Sequence, residues 1–93
     1  MTLFVLTYDV RATHHDYSSL YALLNSWRAA HLQDSVWLAD LNGGAEAIRD
    51  AMIAHMHTDD TACVIQLPPT QAPQWAVRNC RPEGLTWLKT RYP

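Results

Sequence analysis

The strongest candidate for a reactive side chain in this sequence is Asp9, a carboxylate that ends an apolar run. The six residues before it, LFVLTY, are rich in β-formers, so a strand should deliver this carboxylate to the edge of a sheet. A hard carboxylate suits Mg²⁺, which keeps several waters and needs only one or two protein carboxylates. The alternative is that Asp9 forms hydrogen bonds within the turn that follows, as aspartates commonly do.

The segment after Asp9 contains further charged and titratable side chains. Arg11 can either steer a phosphate group or form an ion pair with Asp9 itself. His14, His15 and Asp16 combine two imidazoles, which titrate near neutral pH, with an acid, and this suits acid–base catalysis or metal binding. Adjacent histidines seldom reach one metal without further ligands. A polar loop that leads to an Asp16 helix cap is therefore the alternative interpretation.

Ser35 and the pair His55 and His57 are weaker candidates. Ser35 lacks the strand–turn–helix motif of nucleophilic serines, so its context favours a structural hydroxyl. His55 and His57 lie at the end of the second predicted helix and are two residues apart, which places them on different faces, whereas a helical metal site uses a spacing of four. Cationic residues there would favour the negative end of that helix. We expect no metal at this pair.

Charge is unevenly distributed along the chain. Of the net charge of −2, residues 1–73 carry −5 and residues 74–93 carry +3. Trp75, Trp87 and Tyr92 are interleaved with the basic residues of this tail, a pattern that permits base stacking together with phosphate contacts. The same residues can instead fix the tail over the acidic body of its own or a neighbouring subunit. The tail has no long basic run, which favours docking.

The hydrophobic periodicity alternates between strands and helices. Apolar residues spaced by three and four predict two helices, one beginning near Asp16 and one after Asn42-Gly43-Gly44. Short apolar runs rich in β-formers predict strands that are covered on both faces. The predicted order is β-α-β-β-α-β, then a short strand and a short helix, over residues 3–8, 17–27, 31–33, 35–39, 45–56, 62–67, 74–77 and 82–89.

This order is the split βαβ arrangement, so we predict an α+β fold: a ferredoxin-like βαββαβ sandwich over residues 1–69. Residues 70–93 form a C-terminal extension that packs on the sheet or on a partner subunit. In this arrangement both helices cover one face of a four-stranded antiparallel sheet. The first and middle strands are apolar on both sides, so the other face needs a cover as well. A homodimer supplies one.

Composition excludes several classes of protein. With 48% hydrophobic and 17% charged residues, 93 residues make one globular domain rather than a charge-driven disordered chain. No apolar run approaches the roughly 18–20 residues that span a bilayer, and the start lacks the features of a secretion signal. Two cysteines, Cys63 and Cys80, are too few for a disulfide framework. We expect a cytoplasmic protein that does not contact membranes.

Three short motifs occur in an order that is found in a known family. Tyr8-Asp9 ends the first strand, Gln33-Asp34-Ser35-Val36-Trp37 lies at the middle strand, and Asp60 precedes the strand ACVIQL. Over residues 2–67 the chain resembles the CRISPR-associated endoribonuclease family of the second Cas protein. It is most similar to the short SinR-like and virulence-associated-protein-D-like relatives of that family.

The resemblance implies a homodimer of ferredoxin-like subunits with an aspartate of the first strand near the two-fold axis. Asp9 stands at that position, and the two Asp9 carboxylates would hold one Mg²⁺ or Mn²⁺ ion for phosphodiester cleavage. Ser35 would lie near the dimer cleft and, with Arg11, support catalysis. RNA is the expected substrate, with DNA as the alternative.

The charge of the body favours a competing hypothesis. A net charge of −5 over residues 1–73 repels a polyphosphate substrate. A non-catalytic module on the same fold, which binds another protein as antitoxin, immunity or assembly subunits do, is therefore the alternative function.

Overall fold

The structure is a computed structural model that describes residues 2–11, 15–68 and 71–92. Within these ranges the chain forms strands and helices in alternation: β1 (Thr2–Asp9), α1 (Ser18–Ser26), β2 (Ala30–Gln33), β3 (Val36–Leu41), α2 (Ala45–Ile53), β4 (Thr61–Gln66) and α3 (Pro82–Arg91). None of the helices in these ranges is long and apolar enough to cross a membrane.

The four strands form one antiparallel sheet in the order β2-β3-β1-β4. This confirms the predicted α+β class with a four-stranded antiparallel sheet. Gln33 pairs with Val36, so Asp34 and Ser35 alone make the turn between β2 and β3. The prediction that Ser35 lies on the middle strand is therefore wrong, because the short hairpin uses this residue to reverse the chain.

One face of the sheet packs against α1 and α2. Alternate residues of β1 point to this helix face, since successive strand side chains project to opposite sides. In each helix the two buried residues are four apart and so lie one turn above each other. The central residues of this core are Phe4, Leu6, Tyr8, Leu20, Leu24, Ile48 and Met52.

The opposite face, which we call the tail face, is partly covered by the C-terminal segment of the same chain. Trp87 and Leu88 of α3 are buried against Ala30 of β2 and Leu38 of β3. The described part of the tail thus docks on its own sheet, one of the two placements that the sequence left open.

Residues 74–77 form no strand, contrary to the sequence-based expectation. A side-chain contact holds this stretch instead: Trp75 Nε1 donates a hydrogen bond to the Tyr92 carbonyl at 3.0 Å. Trp75 and Tyr92 also pack against the buried cluster that Trp87 and Leu88 of α3 form with the sheet. Of the two roles considered for the aromatic residues of the tail, the structure shows the docking one.

Ion pairs join the basic tail to the acidic body. Arg91 pairs with Asp40 and stacks on Trp87, with the guanidinium carbon 4.5 Å from the ring centroid. Arg81 forms a second, exposed pair with Asp34 at 3.2 Å. Two of the four basic residues of the tail therefore pair with carboxylates of their own chain.

The half of the tail face formed by β1 and β4 is less covered. Side chains of directly paired residues project to the same side, so Thr7 lies beside Cys63 and Val5 beside Ile65. Ile65 is 52% exposed, and Cys63 is also exposed. We call Thr7, Cys63 and Ile65 the open strip.

Candidate functional site

The end of the sheet where β1 stops brings together the residues that the sequence singled out. β1 and β3 are antiparallel, so the end of β1 lies beside the turn that opens β3, and the Tyr8 N–H donates to the Ser35 carbonyl at 3.1 Å. On the other side Asp9 pairs with Thr61, the first residue of β4. Asp9, Arg11 and Ser35 therefore lie at the same end of the sheet.

Asp9 is exposed at this end. By the alternation of β1 it projects to the same side as Thr7, the side of the open strip and not that of the helix-packed core. Among the described residues, its carboxylate forms no hydrogen bond or ion pair. Its exposure and its side of the sheet suit a carboxylate that meets a ligand or a second subunit from outside the fold.

Asp60 joins the segment after β1 to the start of β4. Its carboxylate accepts the backbone N–H of Arg11 at 2.7 Å, the hydroxyl of Tyr17 at 2.5 Å and the backbone N–H of His57 at 2.9 Å. Arg11 contacts Asp60 through its backbone, and its side chain is exposed. Within the described residues the Arg11 guanidinium forms no ion pair with Asp9, which leaves it pointing to solvent at this end.

Histidines border Asp60. The His15 ring lies 4.7 Å from the Tyr17 ring and 6.0 Å from the His57 ring, measured between centroids. His57 Nδ1 accepts a hydrogen bond from the backbone N–H of Asp59 at 3.1 Å. One of the two ring nitrogens of His57 is therefore already bonded within the turn. In the described ranges no group of three His, Cys, Asp or Glu side chains is placed to hold a metal ion by itself.

The predicted capping role of Asp16 has a counterpart in the structure. Its carboxylate accepts the Ser18 backbone N–H at the start of α1 at 2.9 Å, and the hydrogen bonds from Ser18 lower the pKa of Asp16. Asp16 thus stabilises a free amide of the first turn, although Tyr17 is the residue at the N-cap position. His14, the other member of the predicted cluster, lies outside the described residues.

A buried network of side chains supports the turn that contains Ser35. Trp37 Nε1 donates to the Tyr8 hydroxyl at 3.0 Å, and this hydroxyl donates to the Asp34 carbonyl at 3.4 Å. The His31 ring stacks on Trp37 with its centroid 4.0 Å away. Burial raises the pKa of Tyr8 to about 12, so its hydroxyl is protonated at neutral pH. The network orders the turn and holds Ser35 next to the end of β1.

A pocket of about 460 Å³ lies beside this turn. Gln33, Ser35, Asn79 and Arg81 line it with amide, hydroxyl and guanidinium groups, which are hydrogen-bond donors for phosphate oxygens. The Asp34 carboxylate forms an ion pair with Arg81 and so offsets part of the positive charge that Arg81 brings to the pocket. The pocket therefore offers polar contacts next to Ser35 without a strong positive field.

The sequence pattern alone does not reveal the contacts of Asp60 and His31. Asp60 precedes the strand that pairs with β1, so the sheet order is what brings it to Arg11. His31 pairs with Trp37 across the hairpin, and the two-residue turn sets that register. The available signal is thus strand pairing, which hydrophobic periodicity does not specify.

No model of a known protein family matches the chain, and a search of curated proteins finds no match either. The geometry at the end of β1 and the motifs in the sequence therefore carry the functional argument.

Proposed function

We propose that this protein is a homodimeric, ferredoxin-like member of the CRISPR-associated-endoribonuclease-like superfamily that cleaves RNA with a divalent metal ion. The observation that carries the proposal is the exposed Asp9 carboxylate at the end of β1, at the same end of the sheet as Arg11 and Ser35. The strand order β2-β3-β1-β4, with antiparallel neighbours throughout, supports the ferredoxin-like assignment.

The proposed roles follow from the chemistry of each side chain. Asp9 is the metal ligand, because an exposed carboxylate is a hard oxygen donor that suits Mg²⁺ or Mn²⁺. A bound ion of this kind would activate water and stabilise negative charge on a phosphodiester. The Arg11 guanidinium and the Ser35 hydroxyl donate hydrogen bonds to phosphate oxygens and so orient the substrate.

A second copy of the chain completes this site. Among the described residues at this end, Asp9 is the carboxylate that forms no hydrogen bond or ion pair, whereas Asp60 is held by the Arg11 N–H. A divalent ion held by protein commonly uses one or two carboxylates. The open strip leaves Ile65 52% exposed on the side to which Asp9 projects. Pairing two copies along this strip would bury the apolar side chain and bring the two Asp9 carboxylates to one interface.

The test is metal-dependent cleavage of labelled single-stranded RNA, with duplex DNA in parallel, by the purified protein and two variants. Asp9→Ala removes the proposed ligand, and Asp59→Ala is the matched control, an exposed carboxylate in the turn before β4. We expect Mg²⁺- or Mn²⁺-dependent RNA cleavage that Asp9→Ala abolishes and Asp59→Ala retains, with both variants folded. Cleavage that survives Asp9→Ala, or wild-type protein that neither cleaves nor binds nucleic acid at low salt, would refute the proposal.

The charge distribution favours a second candidate function, a non-catalytic module that binds another protein. Residues 1–73 carry −5, and the tail directs Arg81 and Arg91 to carboxylates of its own chain rather than to a free basic surface. Such an acidic dimer suits a basic protein partner better than a polyphosphate. Salt-sensitive capture of a specific basic protein by wild-type and Asp9→Ala proteins alike, without RNA cleavage, would support this function.

A further inference from the structure

Asp60 occupies a junction between three segments of the chain. Its Oδ1 atom accepts the Arg11 N–H, which comes just after β1, and its Oδ2 atom accepts both the Tyr17 hydroxyl and the His57 N–H. The Arg11 contact spans 49 residues of sequence and the Tyr17 contact spans 43. One half-buried carboxylate thus joins the exit of β1, the entry to α1 and the turn before β4.

Two of these connections hold the short segment that carries the proposed reactive groups. Asp9 pairs with Thr61 in the sheet, while the N–H two residues later bonds to Asp60, the neighbour of Thr61. Consecutive residues at the start of β4 therefore hold both ends of the segment from Asp9 to Arg11. The direction in which the backbone leaves Asp9 depends on the Asp60 carboxylate.

We propose that Asp60 is a positioning residue, which holds the backbone from Asp9 to Arg11 in the conformation that binds the divalent ion; this inference rests on the proposed function. Asp60 does not ligate the ion, because its two oxygens already accept three hydrogen bonds from the chain. It acts through Asp9, whose carboxylate must approach the ion from a fixed backbone.

The chemistry of the site provides a selective variant. In Asp60→Asn the amide oxygen satisfies two donors when it faces Tyr17 and His57, but only one when it faces Arg11. The first orientation is favoured, and it points the amide NH₂ group at the Arg11 N–H, two donors that cannot bond. Asp60→Asn therefore removes the connection to Arg11 and keeps the other two.

The matched control is Tyr17→Phe. This change deletes the hydroxyl that donates to Oδ2 and leaves the half-buried ring and the Arg11 connection in place. If Asp60 served only the stability of the fold, both variants would lower the free energy of unfolding, and neither would change the metal affinity. If Asp60 positions Asp9, only Asp60→Asn weakens metal binding.

The experiment uses the full chain and NMR, with no substrate. Without metal, amide exchange at Arg11 should be slow in the wild type and in Tyr17→Phe and faster in Asp60→Asn. A Mg²⁺ titration that follows the Asp9 and Val10 amides should show affinity weakened about 10–100-fold in Asp60→Asn and little changed in Tyr17→Phe. RNA cleavage should fall in parallel.

The outcomes separate this inference from the function on which it rests. Wild-type protein with no Mg²⁺ response at Asp9 refutes the metal site itself, and Asp60 then has no ion to position. A wild-type response that Asp60→Asn reproduces, or that both variants weaken equally, overturns the positioning role and leaves the proposed function intact. Unchanged Arg11 exchange in Asp60→Asn also overturns it.

Discussion

The indole Nε1 of Trp37 donates a hydrogen bond to the hydroxyl of Tyr8 at 3.0 Å, joining the central strands β3 and β1 inside the core. Tyr8 is 3% exposed and Trp37 5%, so water does not replace either partner easily. The same hydroxyl donates to the Asp34 carbonyl, in the turn that holds Ser35. A polar contact within an apolar core thus links the stability of the sheet to the geometry of the candidate site.

Replacing Tyr8 by Phe should destabilise the fold by about 1–3 kcal/mol, because the buried Trp37 N–H loses its acceptor. Urea unfolding measures this change. Tyr92→Phe is the matched control, because the Tyr92 hydroxyl forms no hydrogen bond to the described residues and only its backbone carbonyl accepts the Trp75 Nε1 donor. This variant should shift the free energy of unfolding by less than about 0.5 kcal/mol. Equal stability of Tyr8→Phe and wild type would show that Trp37 finds another acceptor.

Stability should fall as the pH rises from 10 to 12. Burial raises the pKa of Tyr8 from 10.0 to about 12, so above pH 10 the unfolded chain loses the phenolic proton while the folded chain keeps it. The stabilisation, at most about 3 kcal/mol, is complete below pH 10 and is lost as the pH passes 12. Unfolding curves at several pH values should show this slope, and a Tyr8→Phe variant that kept the full slope would assign it to other groups.

Gly84→Ala should detach α3 from the sheet. A Cβ atom there would lie 2.6 Å from the Leu32 Cα, 2.7 Å from the Leu32 Cδ1 and 2.9 Å from the His31 carbonyl oxygen, and the backbone atoms cannot yield locally. We expect a loss of about 1–3 kcal/mol in the free energy of unfolding. Limited proteolysis should cut the C-terminal segment faster.

Gly44→Ser is the control for this effect. No atom lies within 4 Å of a Cβ at Gly44, the N-cap position of α2, and serine is a favoured N-cap residue. Stability should stay the same or rise by about a few tenths of a kcal/mol. If Gly84→Ala behaved like this control, the close approach of α3 to β2 would be wrong.

Ile65→Arg should abolish the proposed homodimer, because it replaces the exposed apolar side chain of the open strip with a charge. Light scattering coupled to size-exclusion chromatography should give twice the subunit mass for the wild type and the subunit mass for this variant. Ile53→Arg is matched in chemistry and in exposure, 46% against 52%, but lies on α2, on the other side of the molecule, and should remain dimeric. A monomeric wild type would refute the dimer, and a dimeric Ile65→Arg would move the interface elsewhere.

Local patterns in the sequence predicted much of the fold. The spacing of Leu20 and Leu24 and of Ile48 and Met52 indicated the buried faces of two helices, and both helices formed. The apolar run before Asp9 indicated the central strand. These predictions succeeded because periodic burial is a property of neighbouring residues, which the sequence shows directly.

The sequence by itself determined the α+β class, the strand end that carries Asp9 and the charge contrast between body and tail. Only the tertiary structure decided that Ser35 lies in the turn, that Asp60 holds the Arg11 backbone and that α3 covers half of the tail face. Each of these depends on which distant segments pair and in what register. That choice minimises the free energy of the whole packed chain, and no local pattern encodes it.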